Sequence, residues 1–426
     1  MRWAFFLTMM VLVGAGIASV SRATEPVADA NAPRTLPAYL RYAAIHNPGL
    51  KAAFEEWKGA LEQIPQAKAL PDPKFTYGYF IERVDTRQQA GIMQEFPWFG
   101  KIEARTDAAT AAVKASQRRY EARKLELFSQ VKEVFYEYAY LANAIRIATD
   151  SVELMRHFEE VARARYVTAA AAHPDIIRAQ IEVAKLEDEK VAIERLRAPT
   201  VARINAVLNR PADEPLPWPE VEPDRPAEMD RAELVAMLRQ RNPELQAMGF
   251  DVERLGREVD LAKRSYYPDI GVGVEWMDMD GDAMSDDDEV LLGVELNLPI
   301  WRRSYRAGEQ QSRAAARRAR YEESQLENDL IERAERALYE FDDSGRKLRL
   351  YEEVLVPKAE ELVGASETAY TVGTIDFLSL IDAQQTLLQY RLQRERVYTN
   401  CWQRLAELEM LAGTEFPQAG ATDKSN

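Results

Sequence analysis

The chain has 426 residues, of which 46% are hydrophobic and 29% are charged, and its formal net charge is −15 at pH 7. This acidic balance argues against nucleic acid as a partner, because binding to a phosphate backbone needs concentrated Lys and Arg. The one cysteine, Cys401, excludes an internal disulfide, and we expect it to be a small buried apolar residue on a helix.

Residues 1–23 are predicted to be a cleaved export signal. Arg2 precedes the apolar run WAFFLTMMVLVGAGIASV, and Ser21 and Ala23 are small residues at the two positions that a signal peptidase inspects. A retained membrane anchor is the alternative. No later segment approaches about 18 uninterrupted apolar residues, so we expect no transmembrane helix after the signal. The mature chain should begin near Thr24 with an extended segment over 24–38.

Residues 39–208 are predicted to form a first repeat, made of a helix, two strands and a long helical hairpin. The strands are expected at about 73–97, where KFTYGYFI and then GIMQEF alternate in character along the chain. Pro97 ends this alternation. Residues 99–165 then carry apolar positions seven residues apart, which is typical of a coiled coil. A short break at 165–175 precedes the returning helix.

Residues 231–416 are predicted to repeat this plan as a second unit. Matching segments are NPGL (47–50) with NPEL (242–245), and KEVFYEY (132–138) with ERALYEF (335–341). Matches in one order at a slowly growing offset indicate a duplication of about 200 residues. In this unit the strands are expected at about 269–299 and a long helix over 301–355. The Pro-rich linker 209–230 joins the units, and 417–426 should be a disordered tail.

Each predicted strand has one apolar face and one face of small or polar residues. The apolar positions of the third strand, for example, are Ile270, Val272, Val274 and Trp276. Aromatic residues cluster near the strand ends and are predicted to lie at the membrane interface: Trp98, Phe99, Tyr266, Tyr267, Trp276 and Trp301. Strands of about nine residues with an apolar outer face and aromatic girdles are typical of an outer-membrane barrel. A soluble two-layer sheet is the alternative.

Prolines flank the strand pairs, and we predict that they mark where strands leave the membrane and become helices. They are Pro71, Pro73, Pro97, Pro268 and Pro299. Four strands cannot close a barrel alone, and an open sheet edge in lipid leaves backbone groups unpaired at several kcal/mol each. We therefore expect a mainly α-helical fold with a transmembrane β-barrel. It would be a trimeric channel-tunnel of long coiled-coil helices, with four barrel strands per protomer and two internal repeats.

These residues resemble the TolC family of outer-membrane efflux proteins over nearly all of the mature chain. The resemblance rests on the duplicated NPxL, on LPDP and YYPDI before the strands, on FPWFGK, and on the terminal YTVGTIDFLSLIDAQQTLL. It implies a homotrimer in the outer membrane of a Gram-negative bacterium, with a long periplasmic extension that is closed at rest. It also implies a periplasmic adaptor (membrane fusion) protein and an inner-membrane pump as partners, with outer-membrane lipid around the barrel.

The resemblance further implies a periplasmic gate. Asp382 matches the position where family members place an aspartate ring, and Ser379 stands where some have a second aspartate. Asp175 and Tyr370 match positions of closing contacts between neighbouring helices. Ile375 departs from the basic residue of some members, so an ionic lock is not implied there. A helix cap or a turn is the alternative role for these residues.

The same resemblance identifies a surface for the adaptor at the second helical tip. Val372, Gly373 and Thr374 match the tip that meets the adaptor in the family. Their counterpart in the first repeat, Ala169 to Ala172, has no glycine, so equal use of both tips is not implied.

The expected function is the outer-membrane channel of a tripartite efflux pump or of a type I secretion-like system, which exports substrate from the periplasm to the exterior. Exit motifs shared with some heavy-metal efflux relatives favour a metal cation as cargo. A periplasmic coiled-coil adaptor or structural envelope protein, which would lack apolar strands, is the first alternative, and a secreted enzyme is the second.

No catalytic set, cofactor motif or metal site is predicted. His46, His157 and His173 are far apart, and no Gly-rich phosphate loop follows a strand. In the acidic segment 277–289 the glycine is misplaced for a calcium loop, so we expect a solvated turn there, with weak divalent cation binding left open.

Overall fold

The computed structural model of the chain describes residues 33–81, 86–169, 171–221, 229–279 and 289–416. The predicted export signal, residues 280–288 of the acidic segment and the tail at 417–426 lie outside the described residues, as do 24–32 and 222–228. The first described helix begins at Leu36, so the last three residues of the segment predicted as extended are helical. Pro37 lies in its first turn, where the fixed φ of proline suits a helix start.

The described residues are mainly α-helical. Helices before the linker are α1 (Leu36–His46), α2 (Pro48–Leu61), α3 (Gln63–Lys68), α4 (Lys101–Val167), α5 (His173–Arg195) and α6 (Arg197–Leu208). Helices after it are α7 (Arg231–Arg241), α8 (Pro243–Arg264), α9 (Arg302–Leu350), α10 (Val356–Val372) and α11 (Phe377–Ala412). No described helix is long and apolar enough to cross a membrane.

The NPxL segments are helix starts. Asn47 accepts a hydrogen bond from the Leu50 N–H at 3.1 Å, and Asn242 accepts one from the Leu245 N–H at 2.9 Å, with proline at the next position. An asparagine N-cap followed by proline satisfies a free N–H and presets the first helical φ. Each asparagine also donates to the end of the returning helix, at Val207 O and Leu411 O. The motif therefore joins the two ends of each unit.

Helix α4 has 67 residues and spans about 100 Å at 1.5 Å per residue. The predicted run over 99–165 thus agrees with the structure to within two residues at each end. Among the residues predicted at seven-residue spacing, Val131, Tyr138 and Val152 are buried, and Ile145 is partly buried against the same core. The residues at seven-residue spacing therefore lie on the face of α4 that packs against the other helices.

A π-helical segment, Tyr351–Leu355, separates α9 from α10. Pro357 follows in the first turn of α10 and has no N–H to donate to the preceding turn. A local π turn absorbs this mismatch while the rod continues to Val372. No sequence pattern predicted this π-helical segment.

Four antiparallel strands form one sheet in the order β1 (Lys74–Tyr79), β2 (Thr86–Phe96), β3 (Ile270–Met279) and β4 (Glu289–Leu296). The central pair, β2 with β3, joins the two units of the chain. One row across the sheet consists of Phe75, Ile92, Val274 and Leu292, each opposite the next. These side chains are 71, 55, 46 and 71% exposed. The protomer thus presents an uncovered apolar sheet face.

The helices bury two apolar clusters. The larger one combines residues of α1, α4, α6, α7, α9 and α11, including Tyr39, Phe135 and Tyr138. The second lies toward the hairpin tips and combines α4, α5, α10 and α11 around Met155, Phe158 and Phe377.

We expect Phe158→Ala to destabilise the protomer by about 3–5 kcal/mol, because Phe158 is 0% exposed and its removal leaves a cavity. Phe99→Ala is the matched control, since Phe99 is 82% exposed. Urea unfolding in detergent, followed by helical circular dichroism, measures both variants. Equal losses for the two would contradict this description of the core.

Candidate functional site

The two hairpin tips lie side by side and meet through Arg165 and Tyr370. Arg165, in the last turn of α4, places its guanidinium 4.5 Å from the Tyr370 ring centroid and donates to the Tyr370 carbonyl oxygen. Tyr370 is 2% exposed, and its ring contacts that of Phe377. Arg165 was not among the gate residues predicted from the sequence. Ile375, where some family members have a basic residue, is apolar in this chain. Arg165 of the other hairpin instead supplies a cation next to Tyr370.

Asp175 belongs to the same group of residues. It lies in the first turn of α5, and its carboxylate is 3.6 Å from the Arg178 guanidinium. Burial raises the pKa of Tyr370, the negative charge of Asp175 raises it further, and Arg165 opposes this rise. The structure thus brings together Asp175 and Tyr370, two of the four predicted gate residues, with Arg165 added.

Asp382 and Ser379 are exposed residues of α11 and do not contact Tyr370. Asp382 is exposed and lines a groove of about 560 Å³ between α5 and α11, together with Arg178 and Lys185. Ser379 donates its hydroxyl to Asp376 at 2.6 Å, and its N–H donates to the same carboxylate oxygen. Hydrogen bonds from Ser379 lower the pKa of Asp376. Within one chain Ser379 therefore takes part in a helix cap, which was the alternative role.

The tip of the second hairpin is exposed. Val372 is 70% exposed, and Gly373 and Thr374 are exposed beside it. Gly373 ends α10 with φ +86°, a left-handed conformation in which side chains are unfavourable. In the first hairpin Ala169 adopts φ 55°. At this tip an alanine, instead of a glycine, adopts the left-handed conformation, which costs about 1–2 kcal/mol.

The strand-flanking prolines lie where chain direction and secondary structure change. Pro71 and Pro73 precede β1, Pro268 precedes β3 by two residues, and Pro97 directly follows β2. Pro299 lies three residues after β4 and three before α9. Since proline cannot donate to a ladder, each is found outside the paired residues.

Five of the six predicted interface aromatics lie at these junctions. Trp98 stacks on Tyr267 with ring centroids 5.4 Å apart, and Tyr266 lies near Tyr305 on α9. Trp301 and Phe99 are 75 and 82% exposed. Trp276 differs, because it lies within β3 opposite Ala90 and Val290, toward the other end of the sheet.

Asp269 joins the two units at the junction. Its Oδ1 accepts from the Lys101 ammonium at 2.7 Å and from the Trp98 N–H at 2.7 Å, while Oδ2 accepts from Asn297 at 3.3 Å. Burial alone would raise the pKa of Asp269, but the hydrogen bonds from Lys101 and Trp98 outweigh it and lower the pKa. The sequence analysis did not single out this pair.

The described residues contain no group of three or more His, Cys, Asp or Glu side chains arranged to hold a metal ion. Asp278, from the acidic segment, accepts a hydrogen bond from Gln88 across β2 and β3 at 2.9 Å. Asp280 and Asp282 lie outside the described part of the chain.

Solved outer-membrane channels share this fold. The chain matches VceC of Vibrio cholerae with a TM-score of 0.74 and 17% identity, covering 90% of this chain and 97% of that one. It also matches CusC, with a TM-score of 0.76 and 13% identity, covering 89% of this chain and 92% of CusC. This likeness shows that the chain has the fold of these channels.

The chain belongs to the Outer membrane efflux protein family, whose sequence pattern matches residues 40–210 and 234–414. It is also similar to the cobalt-zinc-cadmium resistance protein CzcC of Cupriavidus metallidurans, with 23% identity over 396 residues, 90% of this chain and 91% of CzcC. The predicted family, function and location are confirmed: this is an outer-membrane efflux channel with a periplasmic tunnel. Members of the family are channels and not enzymes.

We expect Asp269→Asn to cost about 1.5–3 kcal/mol at pH 7, because it removes the charged acceptor of a largely buried ion pair. The folded-state pKa is lowered, so this stability is present above the ordinary value of 3.8 and is lost as the pH falls below it. Thermal unfolding at several pH values in detergent tests this. Asp107→Asn, at a half-exposed ion pair with Arg257, should cost less than about 1 kcal/mol. A pH-independent Asp269→Asn effect would contradict the assignment.

Proposed function

We propose that three copies of the chain close a twelve-stranded transmembrane barrel, continued by a periplasmic helical tunnel, and export divalent heavy-metal cations. The observation that carries this proposal is the four-stranded sheet with an exposed apolar face. Such a face is stable against lipid, and its two edge strands need partners there. Three copies supply twelve strands, within the known range of such barrels.

The domain plan proposed for the mature chain is two repeats, 39–208 and 231–416, each giving two strands and one long hairpin. The shared NPxL cap, the strand pair and the hairpin of each unit support this plan. In the assembly the hairpins of three protomers would alternate around one axis.

A metal cation is the proposed cargo on two grounds. The similar protein CzcC is by name a cobalt-zinc-cadmium resistance protein. In this chain the sheet face opposite the apolar one carries Glu95 and Glu295 on either side of Gly271, with Glu275 on the same face. In a closed barrel these carboxylates line the lumen, where one sign of charge concentrates counter-cations.

The partners proposed are a periplasmic adaptor and an inner-membrane pump. Support comes from the exposed tip at Val372, Gly373 and Thr374, which is the surface farthest along the hairpin from the sheet. At the first tip an alanine, Ala169, occupies the left-handed position that Gly373 holds at the second. The resulting strain supports a principal contact at the second tip.

The proposed gate has two parts with separate roles. Asp382 of each copy would project toward the axis and set ion selectivity. Arg165, Tyr370 and Asp175 would hold the neighbouring hairpins together and limit the opening. The burial of Tyr370 under Arg165, and the exposure of Asp382, support this division.

Assembly is tested by native mass spectrometry of the detergent-purified mature protein. We expect a complex of three chains whose circular dichroism retains the strand signal. A monodisperse monomer with the same strand content would contradict the proposal, because its sheet edges would then be stable without partners.

The gate is tested by planar-bilayer recording. Asp382→Ala should weaken cation selectivity and block by multivalent cations from the periplasmic side, while conductance stays low. Arg165→Gln combined with Tyr370→Phe should raise the open population about tenfold, because losing about 1–2 kcal/mol of contact shifts a closed state by that factor. Lys358→Gln, on an exposed part of α10, is the control. Unchanged selectivity in Asp382→Ala would show that this residue does not line the constriction.

A further inference from the structure

We infer that Arg303 of each copy forms an ion pair with Asp72 of the neighbouring copy, and that this contact repeats between chains the Lys101–Asp269 pair found within one chain. The inference rests on the proposed assembly of copies side by side, but not on their number. It identifies the two protomer edges that meet and the side chains that fix their alignment.

The duplication supplies the correspondence. Pro97 after β2 matches Pro299 after β4, which makes Arg303 the counterpart of Lys101. Pro268-Asp269 before β3 matches Pro71-Asp72 before β1, which makes Asp72 the counterpart of Asp269. In each unit, therefore, a cation follows the second strand and an aspartate precedes the first.

Only one pair of these four charges meets within the protomer. Lys101 and Asp269 lie 2.7 Å apart with side chains 14 and 16% exposed. Arg303 and Asp72 are both exposed, and neither has an ion pair among the residues that the structure describes. They belong to opposite edges of the sheet, since β1 and β4 are its outer strands.

Arg302, the neighbour of Arg303, is already engaged within its own chain. Its guanidinium lies 5.9 Å from the ring centroid of Tyr266. Arg303 makes no such contact among the described residues, so it is available to another protomer.

The strand edges support the same alignment. Within the chain Ile92 lies opposite Val274, and Gln94 lies opposite Val272. In the duplicated units Ile92 corresponds to Val294, and Val274 corresponds to Tyr77. The same register would therefore place Val294 of β4 opposite Tyr77 of β1 in the next copy, and Leu296 opposite Phe75. Each of these pairs joins exposed apolar residues. The apolar face would continue from one copy to the next without a change of side.

The corresponding faces of α4 and α9 also differ in burial: the face on α4 is buried and the face on α9 is exposed. Ala104 and Ala111 lie on the face of α4 that meets α8, beside Lys114, which contacts Phe250. Both alanines are buried. At the offset that pairs Lys101 with Arg303, their counterparts on α9 are Arg306 and Arg313, and both are exposed.

The partner face shows the same difference. Ala247 on α8 is 3% exposed, whereas its counterpart Ala52 on α2 is exposed. Charges of opposite sign are also exposed here, with Glu55 on α2, Glu62 directly after α2, and Arg317 and Arg318 on α9. A second copy of the chain is the occupant that fits both faces at once.

Thiol cross-linking tests the contact in the full-length assembled protein. Asp72→Cys and Arg303→Cys are combined in one chain and treated with a short bis-maleimide. The residues of one chain are separated by three strand spacings, about 14 Å, so a shorter linker must join different chains. We expect covalent dimers and trimers on a denaturing gel. Asp72→Cys with Gln310→Cys, about 10 Å further along the helix, should give little product.

Charge reversal provides the second test. Arg303→Asp should raise the fraction of dissociated monomer about tenfold, because it leaves a partly buried carboxylate facing another. Asp72→Arg added to Arg303→Asp should restore the assembly, and Arg302→Asp should change it less than twofold. Restoration cannot result from a general folding defect.

The outcomes separate this inference from the proposed function. If native mass spectrometry finds an assembly but the Asp72/Arg303 pair neither cross-links nor restores it, the inference is wrong and the assembly stands. Equal cross-linking of the Gln310 control would also overturn the inference. If no assembly forms in the wild-type protein, both are wrong.

Discussion

The outer edges of β1 and β4 have no partner strand among the residues that the structure describes, and any larger arrangement of the protein must satisfy them. A strand edge carries N–H and C=O groups that water satisfies outside a membrane but lipid does not. The apolar face at Phe75, Ile92, Val274 and Leu292 suits lipid, and the open edges do not. We propose that further copies of the same sheet resolve this conflict by pairing with the open edges in a ring.

The helices transmit this requirement to the periplasmic end. Helix α4 begins at Lys101, beside Asp269, and reaches Arg165 beside Tyr370 in one uninterrupted rod. In the proposed ring, the spacing of copies at the sheet would therefore also position the tips. Changes at the Arg165–Tyr370 contact would then alter the width of the proposed mouth.

Sequence patterns predicted the regular parts of the fold. A proline-free run with apolar positions every seven residues gave α4 to within two residues, and alternation gave the apolar faces of the strands. The π segment at Tyr351–Leu355, the Lys101–Asp269 pair and the Arg165–Tyr370 contact were missed. The last two join residues 168 and 205 positions apart, so they depend on how two units pack together, and local periodicity carries no information about that. The gate positions came from family resemblance, and the structure brought two of the four together.

Hydrogen exchange of the backbone amides in lipid nanodiscs measures whether the outer strands of the sheet are paired. If copies of the sheet pair edge to edge, the outward N–H groups of β1 and β4 should be as protected as those of the inner strands β2 and β3. Rapid exchange confined to β1 and β4, in protein inserted in lipid, would mean that the edges remain open and that the ring of copies does not form.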